Sequence, residues 1–167
     1  KISNLNLSNS TRMTALALGN NYLLRELDCS MSYLLGTGTG GQTLNLSQCV
    51  NLRTVNIAYT KITGITFPTN SNLTEVNLDG SSIKNVNIDG AEFLRDVSIE
   101  NCVEIQNYEL NKCKKLTTID VSASTVRQFV ATNCENLVEL NLSECKQMVS
   151  FDVTNSPNIH TLRMTGN

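Results

Sequence analysis

The stretch Leu137-Val138-Glu139-Leu140-Asn141-Leu142-Ser143-Glu144-Cys145 decides the fold. It reads apolar-x-x-apolar-x-apolar-x-x-small. The alternation over Leu140-Asn141-Leu142 suits a short strand whose leucines point inward and whose asparagine points outward. Leu137 fills the same interior from the preceding turn. After the strand the chain must bend, which leaves backbone donors and acceptors inside. A small side chain carrying a hydroxyl, amide or thiol, as Cys145 does, can sit beneath the bend and bond to them.

The same unit recurs along the whole chain. Apolar-x-apolar triplets begin at Leu5, Leu16, Leu27, Leu44, Val55, Ile65, Val76, Val86, Val97, Tyr108, Ile119, Phe129, Leu140, Phe151 and Leu162, every 10 or 11 residues except for one step of 17 from Leu27 to Leu44. The triplets form two rows. Row B holds those at Leu5, Leu27, Val55, Val76, Val97, Ile119, Leu140 and Leu162, and row A holds those between them. Each A-to-B step is 11 residues, so the repeat is a coil of 21 or 22 residues with two unlike halves. In row B an apolar residue precedes every triplet by three positions, from Ile2 and Leu24 to Leu137 and Ile159. Small or polar residues follow in both rows: Ser10, Ser32, Thr60, Ser81, Cys102, Ser124, Cys145 and Asn167 in row B, and Asn21, Cys49, Asn70, Ala91, Cys113, Cys134 and Ser156 in row A. Repeats of this length mark a solenoid. Stacked coils hydrogen-bond strand to strand, so stability is nearest-neighbour and the ends need caps. The chain enters at Lys1 within a repeat and leaves at Asn167 just after one, so about seven to eight coils of a longer protein are expected.

Composition fits this reading and narrows the function. Trp is absent and aromatic residues make up 5%, which leaves Leu, Ile and Val to fill the interior. The net charge of −2 comes with no basic run, which argues against nucleic acid as a partner. No apolar stretch reaches the length of a membrane span, so direct insertion by this segment is not expected. One histidine, no CxxC pair, no paired-carboxylate loop and no cofactor motif argue against an enzyme, a metal site or a cofactor.

The pattern L-x-x-L-x-L-x-x-N/C-x-L resembles that of leucine-rich repeats. The short coil and the recurring Leu-Asn-Leu-Ser type of core, best seen in Leu27-Asp28-Cys29-Ser30 and Phe151-Asp152-Val153-Thr154-Asn155-Ser156, are similar to the repeats of internalin-J-type adhesins and of surface proteins of the Bacteroidota. The resemblance implies a curved, right-handed, β-rich leucine-rich-repeat solenoid with little or no regular helix. It implies exposure on a bacterial cell surface, where the solenoid serves adhesion or recognition of a protein, or of a glycan. An alternative is a structural or accessory subunit of a larger assembly, such as a phage tail or baseplate or an outer-membrane nutrient-uptake complex.

The candidate binding face is the outward column of row B: Asp28, Asn56, Asn77, Ser98, Asp120, Asn141 and Arg163, with Asn6 at its start. The flanking Arg25, Glu26, Arg53, Glu75, Arg95, Asp96 and Glu139 give it mixed charge. The competing reading is that stacked Asn and Asp only solvate a sheet. Five of the six cysteines occupy ladder positions interchangeable with Ser, Thr, Asn and Ala, which points to buried free thiols. Gly36-Thr37-Gly38-Thr39-Gly40-Gly41 lacks the Lys-Ser/Thr of a phosphate-binding loop. It falls in the long step and reads as a protruding, flexible Gly-rich loop inserted over 36–43. Asp79-Gly80 and Asp89-Gly90 read as turns. Asn-x-Ser/Thr sequences occur at Asn6, Asn9, Asn45, Asn72 and Asn141, and most are by-products of the Leu-Asn-Leu-Ser unit.

Overall fold

The computed structural model describes residues 2–40, 42–69 and 72–167. Among the described residues fourteen three-residue strands follow one another: β1 (Asn4–Asn6), β2 (Glu26–Asp28), β3 (Thr43–Asn45), β4 (Thr54–Asn56), β5 (Gly64–Thr66), β6 (Glu75–Asn77), β7 (Asn85–Asn87), β8 (Asp96–Ser98), β9 (Asn107–Glu109), β10 (Thr118–Asp120), β11 (Gln128–Val130), β12 (Glu139–Asn141), β13 (Ser150–Asp152) and β14 (Thr161–Arg163). They build a parallel β-solenoid of about seven turns, with no helix among the described residues. Each strand starts one residue before its triplet and centres on the first inward side chain.

The two rows are borne out as two stacks. Row B pairs in parallel as β1-β2-β4-β6-β8 and β10-β12-β14, and row A as β3-β5 and β7-β9-β11-β13. The register places equivalent residues together, as in Leu27 on Val55 and Val55 on Val76. The interior is the one the pattern predicts, with Leu73, Val76 and Leu78 at 0%, 1% and 0% exposure. Row A also carries the earlier apolar residue: Ile62, Ile83, Ile105 and Val126 are buried three positions ahead of their triplets, a feature that the row B pattern alone did not bring out.

Both stacks break once, and the breaks are staggered. Row A is interrupted between β5 and β7, where row B runs on through β4, β6 and β8. Row B is interrupted between β8 and β10, where row A runs on through β7, β9 and β11. Each gap is thus bridged by the opposite face, as in bonded brickwork.

Two local departures from the pattern have physical causes. The triplet at Leu16 forms no strand. The long step separates it from Leu44, and the inserted segment docks there instead: Gly36 and Gly38 N–H both donate to the Thr14 carbonyl oxygen, at 2.9 and 3.0 Å. The first part of the Gly-rich loop is therefore stitched down rather than protruding. Gly36 is buried at φ +107°, and a β-carbon on it would stand 2.3 Å from the Lys61 carbonyl carbon, so only glycine fits. Gly41 of this loop, the ladder position at Asn70 and the start at Lys1 lie outside the described residues.

A turn position absent from the sequence reading recurs through the solenoid. The residue just before a ladder side chain is left-handed, as at Asn9, Met31, Tyr59, Gly80, Asn101, Lys112, Ala123, Asn133, Glu144 and Asn155. Few non-glycine residues adopt this conformation freely, yet Met31, Tyr59, Lys112, Ala123 and Glu144 hold it here, which makes the Gly or Asn signal at this position intermittent.

Candidate functional site

The ladder side chains bond as their chemistry requires. A thiol or hydroxyl in one coil donates back to a carbonyl of the coil before it: Ser32 Oγ to Leu7 O at 3.0 Å, Cys102 Sγ to Leu78 O at 3.1 Å, Cys134 Sγ to Leu110 O at 3.0 Å and Cys145 Sγ to Val121 O at 3.0 Å. All six cysteines are free and buried. Burial, helped by the Asp28 carboxylate, pushes the Cys29 thiol up to about 12. Burial likewise raises Cys113 to about 12, and raises Cys102 to about 11 against the lowering effect of the Ser81 hydrogen bond. Such thiols hold their protons at neutral pH and make poor nucleophiles or metal ligands. Among the described residues, no group of three His, Cys, Asp or Glu is arranged to hold a metal ion.

The outward column of row B lies together along one face, and most of its members also have a structural task. The Oδ1 of Asp28 accepts the Ser30 N–H, that of Asn56 the Ala58 N–H, that of Asn77 the Asp79 N–H, that of Asp120 the Ser122 N–H and that of Asn141 the Ser143 N–H, at 2.8 to 3.1 Å. Each side chain mimics a backbone turn at the end of its strand. Row A repeats the device at Asn45, Asn87 and Asp152. Burial raises the Asp120 carboxyl, but the Ser122 hydrogen bonds, Asn141 and Arg163 outweigh it and hold the group below the usual carboxylate range.

Ser98 and Arg163 depart from this scheme. The Ser98 hydroxyl does not accept from its own turn. The Oδ1 of Asp79, in the coil before, takes over by accepting the Ser98 hydroxyl at 2.5 Å and the Glu100 N–H at 2.7 Å. Arg163 Nη1 lies 3.5 Å from Glu139 Oε2, and both side chains are about half exposed.

Two depressions run along this face. One of about 400 Å³ is bordered by β1, β2, β4 and Glu75. The next, of about 280 Å³, is bordered by β6, β8, Glu100, Thr118 and Asp120. Glu75 borders both, so they form one groove over the strand centres, with the Asp28 column on one wall and Glu26, Thr54, Glu75 and Asp96 on the other. The charge that looked mixed in the sequence is sorted in space. The walls carry Glu26, Asp28, Glu75, Asp96, Glu100 and Asp120 and no Lys or Arg, because Arg25, Arg53 and Arg95 precede their strands and stand outside the groove. The ion pairs among the described residues are Lys84–Glu104, Lys114–Glu92, Lys146–Glu144 and Arg163–Glu139; none includes one of these six carboxylates, although the Arg163 charge acts on Asp120.

Comparison with family models, with curated proteins and with solved structures finds no match for the chain.

Proposed function

We propose that the chain is a non-enzymatic recognition module of the leucine-rich-repeat type, right-handed and exposed on a bacterial cell surface, which binds a protein partner through the outward face of row B. The observation that carries this reading is the continuous groove across that face, from β1 to β10. A rigid, repetitive sheet holds its side chains in fixed columns, which suits binding of an extended partner with little ordering cost. The likeness of the coil to adhesin repeats supports the assignment to a surface.

The test uses the three carboxylates that line the groove wall opposite the turn-forming column. Glu26→Lys, Glu75→Lys and Asp96→Lys together should abolish adhesion of protein-coated beads to host cells or matrix proteins, while the melting temperature stays within a few degrees. Lysines at the corresponding strand positions of row A, Asn85→Lys, Asn107→Lys and Gln128→Lys, should leave adhesion intact. If only the row A variant loses binding, the protein docks through its other face, as a subunit of a larger assembly would. Undiminished adhesion by the row B variant would remove row B as the site.

A further inference from the structure

The row B groove shows what kind of partner it fits, and this inference rests on the recognition reading above. Two independent features converge on it. The first is charge. Glu75, Asp96 and Glu100 border the inner half of the groove, and none has an ion-pair partner or a side-chain hydrogen bond among the described residues. Like charges held a few ångströms apart on one sheet face repel, and nothing within the fold offsets this.

The second feature is the break in the row B ladder. In a regular coil the Thr74 N–H donates to the Arg53 carbonyl at 2.8 Å and the Ile57 N–H to the Asn77 carbonyl at 2.9 Å. The equivalent groups at the break are the Thr117 N–H with the Arg95 carbonyl, and the Ile99 N–H with the Asp120 carbonyl. Neither pair forms a backbone hydrogen bond. Val97, at the centre of β8, is only partly buried where Val76, one coil earlier, is 1% exposed. At the break, the Thr117 and Ile99 N–H groups and the Arg95 and Asp120 carbonyls are thus left without inter-coil backbone partners, and Asp120 borders the groove beside the unpaired carboxylates of Glu75, Asp96 and Glu100.

We infer that this groove docks an extended cationic polypeptide segment, with lysine or arginine heads seated at the β8–β10 break. Ammonium and guanidinium groups are donors without acceptor capacity. They match the carboxylate oxygens of the wall and the unpaired Asp120 carbonyl, and they neutralise the wall charge. The six row B strands from β1 to β10 at about 4.8 Å each span about 24 Å, which an extended chain crosses with about seven residues. An anionic partner would meet like charge along the entire groove, and a nucleic acid is disfavoured for the same reason.

The test is a fluorescence-anisotropy titration of the whole chain with a labelled peptide of alternating Lys and Ser, against one of alternating Glu and Ser. The lysine peptide should bind saturably and weaken at least about tenfold between roughly 50 and 300 mM salt, while the glutamate peptide does not bind. The combined variant Glu75→Gln, Asp96→Asn, Glu100→Gln should weaken lysine-peptide binding at least about tenfold. A control that removes the same charge elsewhere, Glu92→Gln, Glu104→Gln, Glu135→Gln, should change it less than about twofold. Equal loss in both variants would reduce the effect to net charge and overturn the inference, as would no saturable binding of the lysine peptide. A bulky neutral pair, Thr54→Trp with Thr118→Trp, separates the two readings. If it blocks adhesion while the lysine peptide fails to bind the parent protein, the face is the site and its partner is not cationic.

Discussion

The ring of Tyr59 occupies the space that a β-carbon on Gly80 would fill: such a carbon would stand 2.6 Å from Tyr59 Cδ1. The two residues hold the same left-handed position in consecutive row B coils, with φ of 57° and 59°. Gly80→Ala therefore meets both a disfavoured backbone conformation and a packed ring, and should cost about 2 kcal/mol or more. Urea unfolding of Gly80→Ala, Tyr59→Ala and the double variant measures the coupling. The double variant should recover part of the loss, and simple additivity would show that the ring is not the obstacle.

Lys112 holds the same kind of turn in row A at φ 59° and is exposed. Its N–H donates to Thr132 O at 2.9 Å, which glycine retains. The left-handed conformation costs an L-residue about 1–2 kcal/mol, less what glycine loses on ordering, so Lys112→Gly should stabilise by up to about 1 kcal/mol. A lower urea midpoint for this variant would contradict the turn assignment.

Three buried thiols set a limit at alkaline pH. Burial holds Cys29, Cys102 and Cys113 above a free thiol, near 11 to 12. The unfolded chain therefore releases these protons first. Stability is fully present below about pH 8.5 and falls as pH rises toward 11 to 12, by up to about 1.4 kcal/mol per thiol per pH unit. Chemical denaturation from pH 7 to 10 should show this slope, and Cys102→Ser should lessen it. At pH 8 a thiol reagent should label the folded protein only at its unfolding rate, and rapid labelling of the native state would refute the ladder role.

Asn77 distinguishes turn formation from binding within the outward column. Its Oδ1 lies 2.9 Å from the Asp79 nitrogen. Asn77→Asp keeps that acceptor, whereas Asn77→Ala removes it and should cost about 1 kcal/mol. Asn77→Pro removes the ladder donor and should destabilise far more. If Asn77→Ala melts like the parent protein, the side chain has no structural task.

Hydrogen exchange should locate the break in row B. The amides of Ile99 and Thr117 lack the inter-coil partners that protect Ile57 and Thr74. They should exchange faster than those two under native conditions. Equal protection would mean that the ladder is closed in solution.

The spacing of Leu140-Asn141-Leu142 and its copies was enough to give the coil, the two rows, the inward residues and the chemistry of the ladder. Each depends on the period-two alternation of a strand or on which side chains can bond beneath a bend, and both are local properties of sequence. The outward column of row B was legible for the same reason. Which residues on that face are free was not. Asn77 and Asp120 looked like surface groups, yet their side-chain oxygens close turns two residues onward. Glu75 and Asp96 seemed to sit in mixed charge, yet the fold places Arg53 and Arg95 outside the groove. The strand break beside Ser98, and the docking of Gly36 onto Thr14, left no signal in the repeat length. They arise because neighbouring coils must fit each other in three dimensions, and that fit depends on packing between residues some twenty positions apart rather than on the pattern within any one coil.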